Sequence, residues 1–128
     1  MTHAHVCVWI DHREAKIFGI GLDAIDELEI EEKGPHHHLH RKADHVYQGK
    51  APPDQQFLQS VTEHLGDARG ILLVGPGSAK NELAGYLHLH APAVAKRIWG
   101  IEAADHPTDG ELVAWARQRF RAADRMRA

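Results

Sequence analysis

A single cysteine, Cys7, rules out an intrachain disulfide. Between Val6 and Val8, that thiol is expected to behave as a small buried hydrophobe. No apolar run approaches the roughly 20 residues that a membrane helix needs. Met1 to His5 is short and polar where a secretory leader would be apolar, and a strand pattern follows at once. These absences predict a cytoplasmic protein without a membrane partner. What is present is ordinary in amount. The 128 residues are 43% hydrophobic and 26% charged, which predicts one globular domain over 1–128. Such a chain buries roughly two thirds of its unfolded surface and needs no metal to hold a core.

Histidine is the exception, with twelve residues, so the net charge of −3 rises steeply as pH falls through about 6.5. The charges are also segregated. Asp23, Asp26, Glu27, Glu29, Glu31 and Glu32 lie together, and Arg117, Arg119, Arg121, Arg125 and Arg127 crowd the other end. Neither run is extreme enough to establish a nucleic-acid partner, and none is expected to be DNA.

His5 to Ile10 and Ala15 to Ile20 read as two strands of a hairpin, broken by Asp11-His12-Arg13-Glu14. Ile25 to Glu32 alternates apolar and acidic residues, as a half-buried strand does. Gly34 to Pro53 has no period and is long for a connection. Pro52-Pro53-Asp54 opens a helix with Asp54 as expected N-cap, Phe57, Leu58, Val61 and Leu65 as its apolar face, and Gly66 as expected C-cap. Ile71 to Val74 has the uninterrupted apolar run of a strand covered on both faces. Ser78 is the expected cap of a helix that runs to about His90, buries Leu83 and Leu87 and is stopped by Ala91-Pro92, and Val94 to Ile101 reads as the last strand. Thr108-Asp109-Gly110-Glu111 is a capping box for a final helix that buries Leu112, Ala116, Phe120 and Ala123, with Trp115 at its flank. The order βββ–loop–αβαβα predicts an α/β fold with a mixed five-stranded sheet, of the ribonuclease-H-like kind.

Three places invite chemistry. The turn Gly75-Pro76-Gly77-Ser78-Ala79-Lys80 opens a helix, so Gly75, Gly77 and Lys80 are candidate phosphate contacts. It lacks P-loop spacing, and a plain strand-to-helix turn explains it better. The histidine loop is the strongest anomaly. His36, His38 and His40 alternate and so share one side of an extended backbone, with Asp44 and His45 nearby, a set suited to zinc or nickel. The same loop places His37, Arg41, Lys42 and Lys50 where imidazoles stack on bases and cations meet phosphates. A polar surface loop that is merely rich in histidine is the third reading. Asp11 ends the first strand, where a two-metal nuclease would place a carboxylate, with Glu63 or Asp109 as further candidates. That set is incomplete, and turn chemistry is the better account of Asp11. His88-Leu89-His90 reads as a favourable helix C-terminus.

The order of elements, the segment Ile71 to Lys80 (ILLVGPGSAK) and the place of the long loop resemble one known family. The chain is similar to the middle domain of eukaryotic and archaeal peptide release factors and of Pelota, and to small stand-alone bacterial proteins of the translational machinery. In release factors that loop carries a Gly-Gly-Gln motif; Gln48-Gly49 here is reversed and lacks the glycine pair, so the resemblance does not imply peptidyl-tRNA hydrolysis. It implies a non-catalytic module that meets the ribosome or structured RNA through the loop. A metal-binding protein or metal-dependent hydrolase using His36, His38, His40 and His45 is the alternative. A homo-oligomer paired through an exposed sheet edge is the third expectation.

Overall fold

A computed structural model describes residues 5–21, 27–33 and 53–127, and for 27–33, 53, 54 and 127 it describes the backbone alone. The elements are β1 (His5–Ile10), β2 (Glu14–Ile20), β3 (Glu27–Lys33), α1 (Pro53–Glu63), β4 (Gly70–Gly75), α2 (Ala79–His90), α3 (Pro92–Ala95), β5 (Ile98–Ala103) and α4 (Asp109–Arg127). The strand order is β3-β2-β1-β4-β5. β1 pairs antiparallel with β2 and β2 with β3, whereas β1–β4 and β4–β5 are parallel, so this is a mixed α/β sheet. Its body, with side chains described, is β2, β1, β4 and β5; β3 joins it backbone to backbone along β2.

The period of two along β1 and β4 divides the core. Val6, Val8, Ile10, Ile71 and Leu73 face α1, α2 and α3, burying Val61, Leu65, Leu83 and Leu87. Cys7, Trp9, Leu72 and Val74 face α4, burying Leu112, Val113, Ala116 and Phe120. Both central strands are buried along their whole length, which explains their unbroken apolar runs. Each fully buried Leu, Ile or Val side chain contributes roughly 1.5–3 kcal/mol. Among the described residues no helix is long and apolar enough to cross a membrane.

Several local expectations are corrected. The last strand begins at Ile98, not Val94, because Pro92 starts a short helix that buries Val94 and Ala95. Proline favours the first helical turn, and the two apolar side chains pack against the core from a helix rather than a strand. α1 begins at Pro53, so Asp54 lies inside it and is not its N-cap. α1 closes with bonds from the His64 amide to the Val61 carbonyl and from the Leu65 amide to the Thr62 carbonyl, a tight three-residue spacing. Gly66 lies beyond this turn without a positive φ, so it is not a left-handed C-cap. Leu58 and Ala123 are half-buried rather than core. Ser78 makes no side-chain cap, and its hydroxyl bonds to Glu82 instead. The capping box of α4 forms in full: the Thr108 amide donates to Glu111 Oε1 (2.9 Å) and the Glu111 amide to Thr108 Oγ1 (3.1 Å).

α4 is seated near its far end by a histidine. His5 is 5% exposed, and its ring lies 4.7 Å from that of Phe120 and 5.4 Å from that of Trp99. Its Nε2 approaches the Asp124 carboxylate to 3.3 Å, and Arg69 reaches the same carboxylate at 3.9 Å. Burial holds the His5 imidazole below its ordinary value of 6.5, against the opposing pull of Asp124 and with a further push from Arg69. The unfolded chain therefore binds the proton more readily than the folded one. This contribution to stability is complete above about pH 6.5 and is lost as pH falls through 6.5 towards the folded value. One such group gives a slope of at most about 1.4 kcal/mol per pH unit. Urea midpoints measured from pH 7.5 to 5 are expected to fall for the wild type and to lose that component in His5→Phe. An unchanged slope in the variant would assign the acid sensitivity elsewhere.

Candidate functional site at the carboxyl edge of the sheet

β1, β4 and β5 run in one direction and end together at Ile10, Gly75 and Ala103. β3 ends at the same edge, because Lys33 pairs with Glu14, the first residue of β2. α1 leads back to the start of β4, α2 follows the end of β4, and α4 follows the end of β5, so all three helices begin at this edge. Their N-termini carry the positive ends of the helix dipoles. In open parallel sheets this is also the edge where ligands collect. Lys33 and Pro53, the described residues on either side of segment 34–52, both lie at this edge.

Asp11 builds the first turn. Its Oδ1 accepts the amides of Arg13 (2.8 Å) and Glu14 (2.9 Å), while its own amide donates to the Glu14 carbonyl (3.0 Å). The turn reading of Asp11 is thus the one the geometry supports. Glu63 ends α1 at the opposite edge, and Asp109 Oδ1 lies 3.2 Å from Lys16 Nζ, so these three carboxylates do not converge. Among the described residues, no group of three His, Cys, Asp or Glu side chains is arranged to hold a metal ion. The turn instead presents His12 and Arg13 to solvent. His12 Nε2 meets Glu82 Oε2 at 3.1 Å, and Ser78 Oγ donates to the same oxygen at 3.0 Å. The His12 contact, with help from Ser78 and against some burial, holds the Glu82 carboxyl below its usual range. This bridge clips the β1–β2 turn to the start of α2.

The glycine turn sits beside it. A Cβ on Gly75 would stand 2.1 Å from the Ile10 carbonyl oxygen, so the ends of β1 and β4 approach too closely for any side chain. Gly77 faces open space. Lys80 is 9% exposed, and its ammonium donates to the Gly77 carbonyl, bracing the turn from within. Gly75 and Lys80 therefore have packing roles that need no ligand, whereas Gly77 is the position of the turn open to one.

Sequence reasoning missed the third part of the edge. The Trp9 indole donates to the Asp105 carbonyl (2.9 Å) and its ring lies 5.1 Å from that of His106, whose Nδ1 is 3.0 Å from Asp105 Oδ1. Pro107 and Leu112 separate this corner from an apolar cleft of about 360 Å³ under Trp115, with Glu102 and Glu111 among its lining residues. Trp9 and His106 are 97 positions apart in number, and only strand order brings them together. His88 and His90 end α2 as expected, both exposed, with the His90 ring 4.4 Å from that of Tyr86. His36, His37, His38, His40, Arg41, Lys42, Asp44, His45 and Lys50 lie outside the described residues.

No protein-family model and no curated protein matches the sequence. Solved structures do. Pelota of Archaeoglobus fulgidus superposes with a TM-score of 0.58 at 19% identity, over 94% of this chain and 35% of that one. Pelota of Thermoplasma acidophilum gives 0.56 at 20% identity, over 81% and 29%. Dom34 of S. cerevisiae, described as a translation termination-like factor involved in RNA quality control pathways, gives 0.54 at 10% identity, over 91% and 36%. The chain spans about a third of the length of these proteins. Nearly all of it thus shares its fold with one portion of Pelota and Dom34.

Proposed function

We propose that the chain is a non-catalytic binding module for the ribosome or structured RNA, acting in translation through segment 34–52. The observation that carries this reading is the convergence on one sheet edge of the residues flanking that segment and the N-termini of α1, α2 and α4. Helix N-termini favour phosphate, and Arg13 adds an exposed cation on the neighbouring turn. Arg41, Lys42 and Lys50 supply counter-charges for a phosphate backbone, and His36 to His40 supply rings for bases. The shared fold with Pelota and Dom34 supports the same reading, since Dom34 is described as working in RNA quality control.

The test is co-sedimentation of tag-free protein with ribosomes and separated subunits across a salt series. Binding is expected to fall linearly in log–log form. Arg41→Ala/Lys42→Ala should weaken it and make the slope shallower by about 1–2, the loss of one or two phosphate contacts. Equal binding by the double variant, or none by the wild type at low salt, would defeat the proposal.

A further inference from the structure

We propose that the outer edge of β5 is a homodimer interface, in which two copies pair antiparallel about a twofold axis at Ile101 and continue one sheet through both molecules. This goes beyond the ribosome reading and does not rest on it.

β5 is the terminal strand of the sheet, and among the described residues nothing pairs with its outer side. Ile101, the fourth of its six residues, is 40% exposed, and Ala103 is exposed as well. An unpaired apolar edge of six residues is a template for another strand. The other terminal strand, β3, has the sequence ELEIEEK, and pairing it with its own copy would bring carboxylates together.

The charges around β5 select a second copy as the occupant. Lys96 and Arg97 precede the strand, and Glu102 and Asp105 close it. A twofold axis reverses one copy against the other, so the basic start of each meets the acidic end of its partner, twice. With Ile101 on the axis, Ile101 faces its own copy and Glu102 faces Gly100; the bulge at Trp99 then sets Ala103 against Ile98 and Asp105 against Lys96. Glu102 is already held by Arg119 (2.7 Å), which leaves Asp105, exposed beside His106, as the acceptor. Arg97 uses Nη1 for the Gly66 and Ala68 carbonyls, and Lys96 is exposed. The faces also agree: Ile98, Ile101 and Ala103 pair with Ile71, Leu73 and Gly75 on one face of β4, and a twofold normal to the sheet keeps them on that face.

The test is sedimentation equilibrium over a wide concentration range, followed by cysteine cross-linking. The wild type should show a monomer–dimer equilibrium, and Ile101→Lys should weaken it about tenfold or more while keeping its circular dichroism and melting temperature. Directly opposed residues have Cα atoms about 4.5–5.5 Å apart, within disulfide range. Ile101→Cys should therefore oxidise to a covalent dimer. Ala103→Cys should not, since its copy would lie roughly 13 Å along the paired strand. Cys7 does not interfere, because it is fully buried and its thiol is pushed up to about 12. A wild type that stays monomeric throughout, a dimer untouched by Ile101→Lys, or equal cross-linking at both positions would overturn the proposal.

Discussion

Gly75→Ala is expected to destabilise the protein by about 3–5 kcal/mol and lower its melting temperature by roughly 10 °C or more. The added methyl would sit 2.1 Å from the Ile10 carbonyl oxygen, a backbone atom that cannot swing aside as a side chain would. Ile10 and Gly75 end neighbouring parallel strands, and the Gly75 carbonyl also accepts the Ala104 amide at 3.0 Å. Relieving the clash must therefore shift β1, β4 or the exit from β5. Gly77→Ala is the control, because no atom lies within 4 Å of the new methyl. Its effect should stay within about 1 kcal/mol, since alanine also restricts the unfolded chain. Thermal and urea melts of the two variants decide the matter. Equal stability would mean that the β1–β4 approach is not as tight as described. Ribosome binding adds a second readout: a Gly77→Ala protein that melts normally but binds poorly would place the ligand at the amides of the turn.

Phe120→Ala is expected to cost about 3–5 kcal/mol. Phe120 is fully buried, with its ring 4.7 Å from that of His5 and 5.6 Å from that of Trp99. Among the described elements, α4 alone covers its face of the sheet, so no second helix can close the void. Trp115→Ala, on the half-buried flank of the same helix, should cost clearly less, its cation–π contact with Arg119 being worth about 0.5–1 kcal/mol at an exposed site. The phenylalanine also keeps water from His5. Phe120→Ala should therefore shrink the acid-sensitive part of the stability as well as lower its total. Denaturant titrations at pH 7.5 and 5.5 separate the two effects. A large loss with an unchanged pH slope would show that His5 stays dry without Phe120.

Where local pattern and tertiary packing agree, the elements were legible. β1 and β4 are runs of β-branched and aliphatic residues because both faces of each are covered, and the covering helices show their apolar stripes. The capping box at Thr108 is a purely local device, and it forms as its spacing requires. Legibility failed where two structures suit the same letters. Val94 and Ala95 fit a strand or a helix, and the choice fell to Pro92 and to the core surface that α3 covers. Gly66 carried a C-cap signal, but α1 stops three residues earlier in a tight turn.

The candidate site divides in the same way. Asp11 was readable as a turn residue because its partners, the amides of Arg13 and Glu14, lie within three positions. The buried, inward-turned Lys80 was not, since its exposure depends on what α2 packs against. Nor were the Trp9–His106 contact and the His12–Glu82–Ser78 bridge, which join strand ends distant in the chain. The sequence by itself determined the strands, most helix positions and the Thr108 capping box, because these follow from periodicity and from contacts a few residues apart. The strand order, the covering of each face and the gathering of helix N-termini at one edge were decided by tertiary structure alone. Those features depend on which distant surfaces bury each other, and no local spacing encodes that choice.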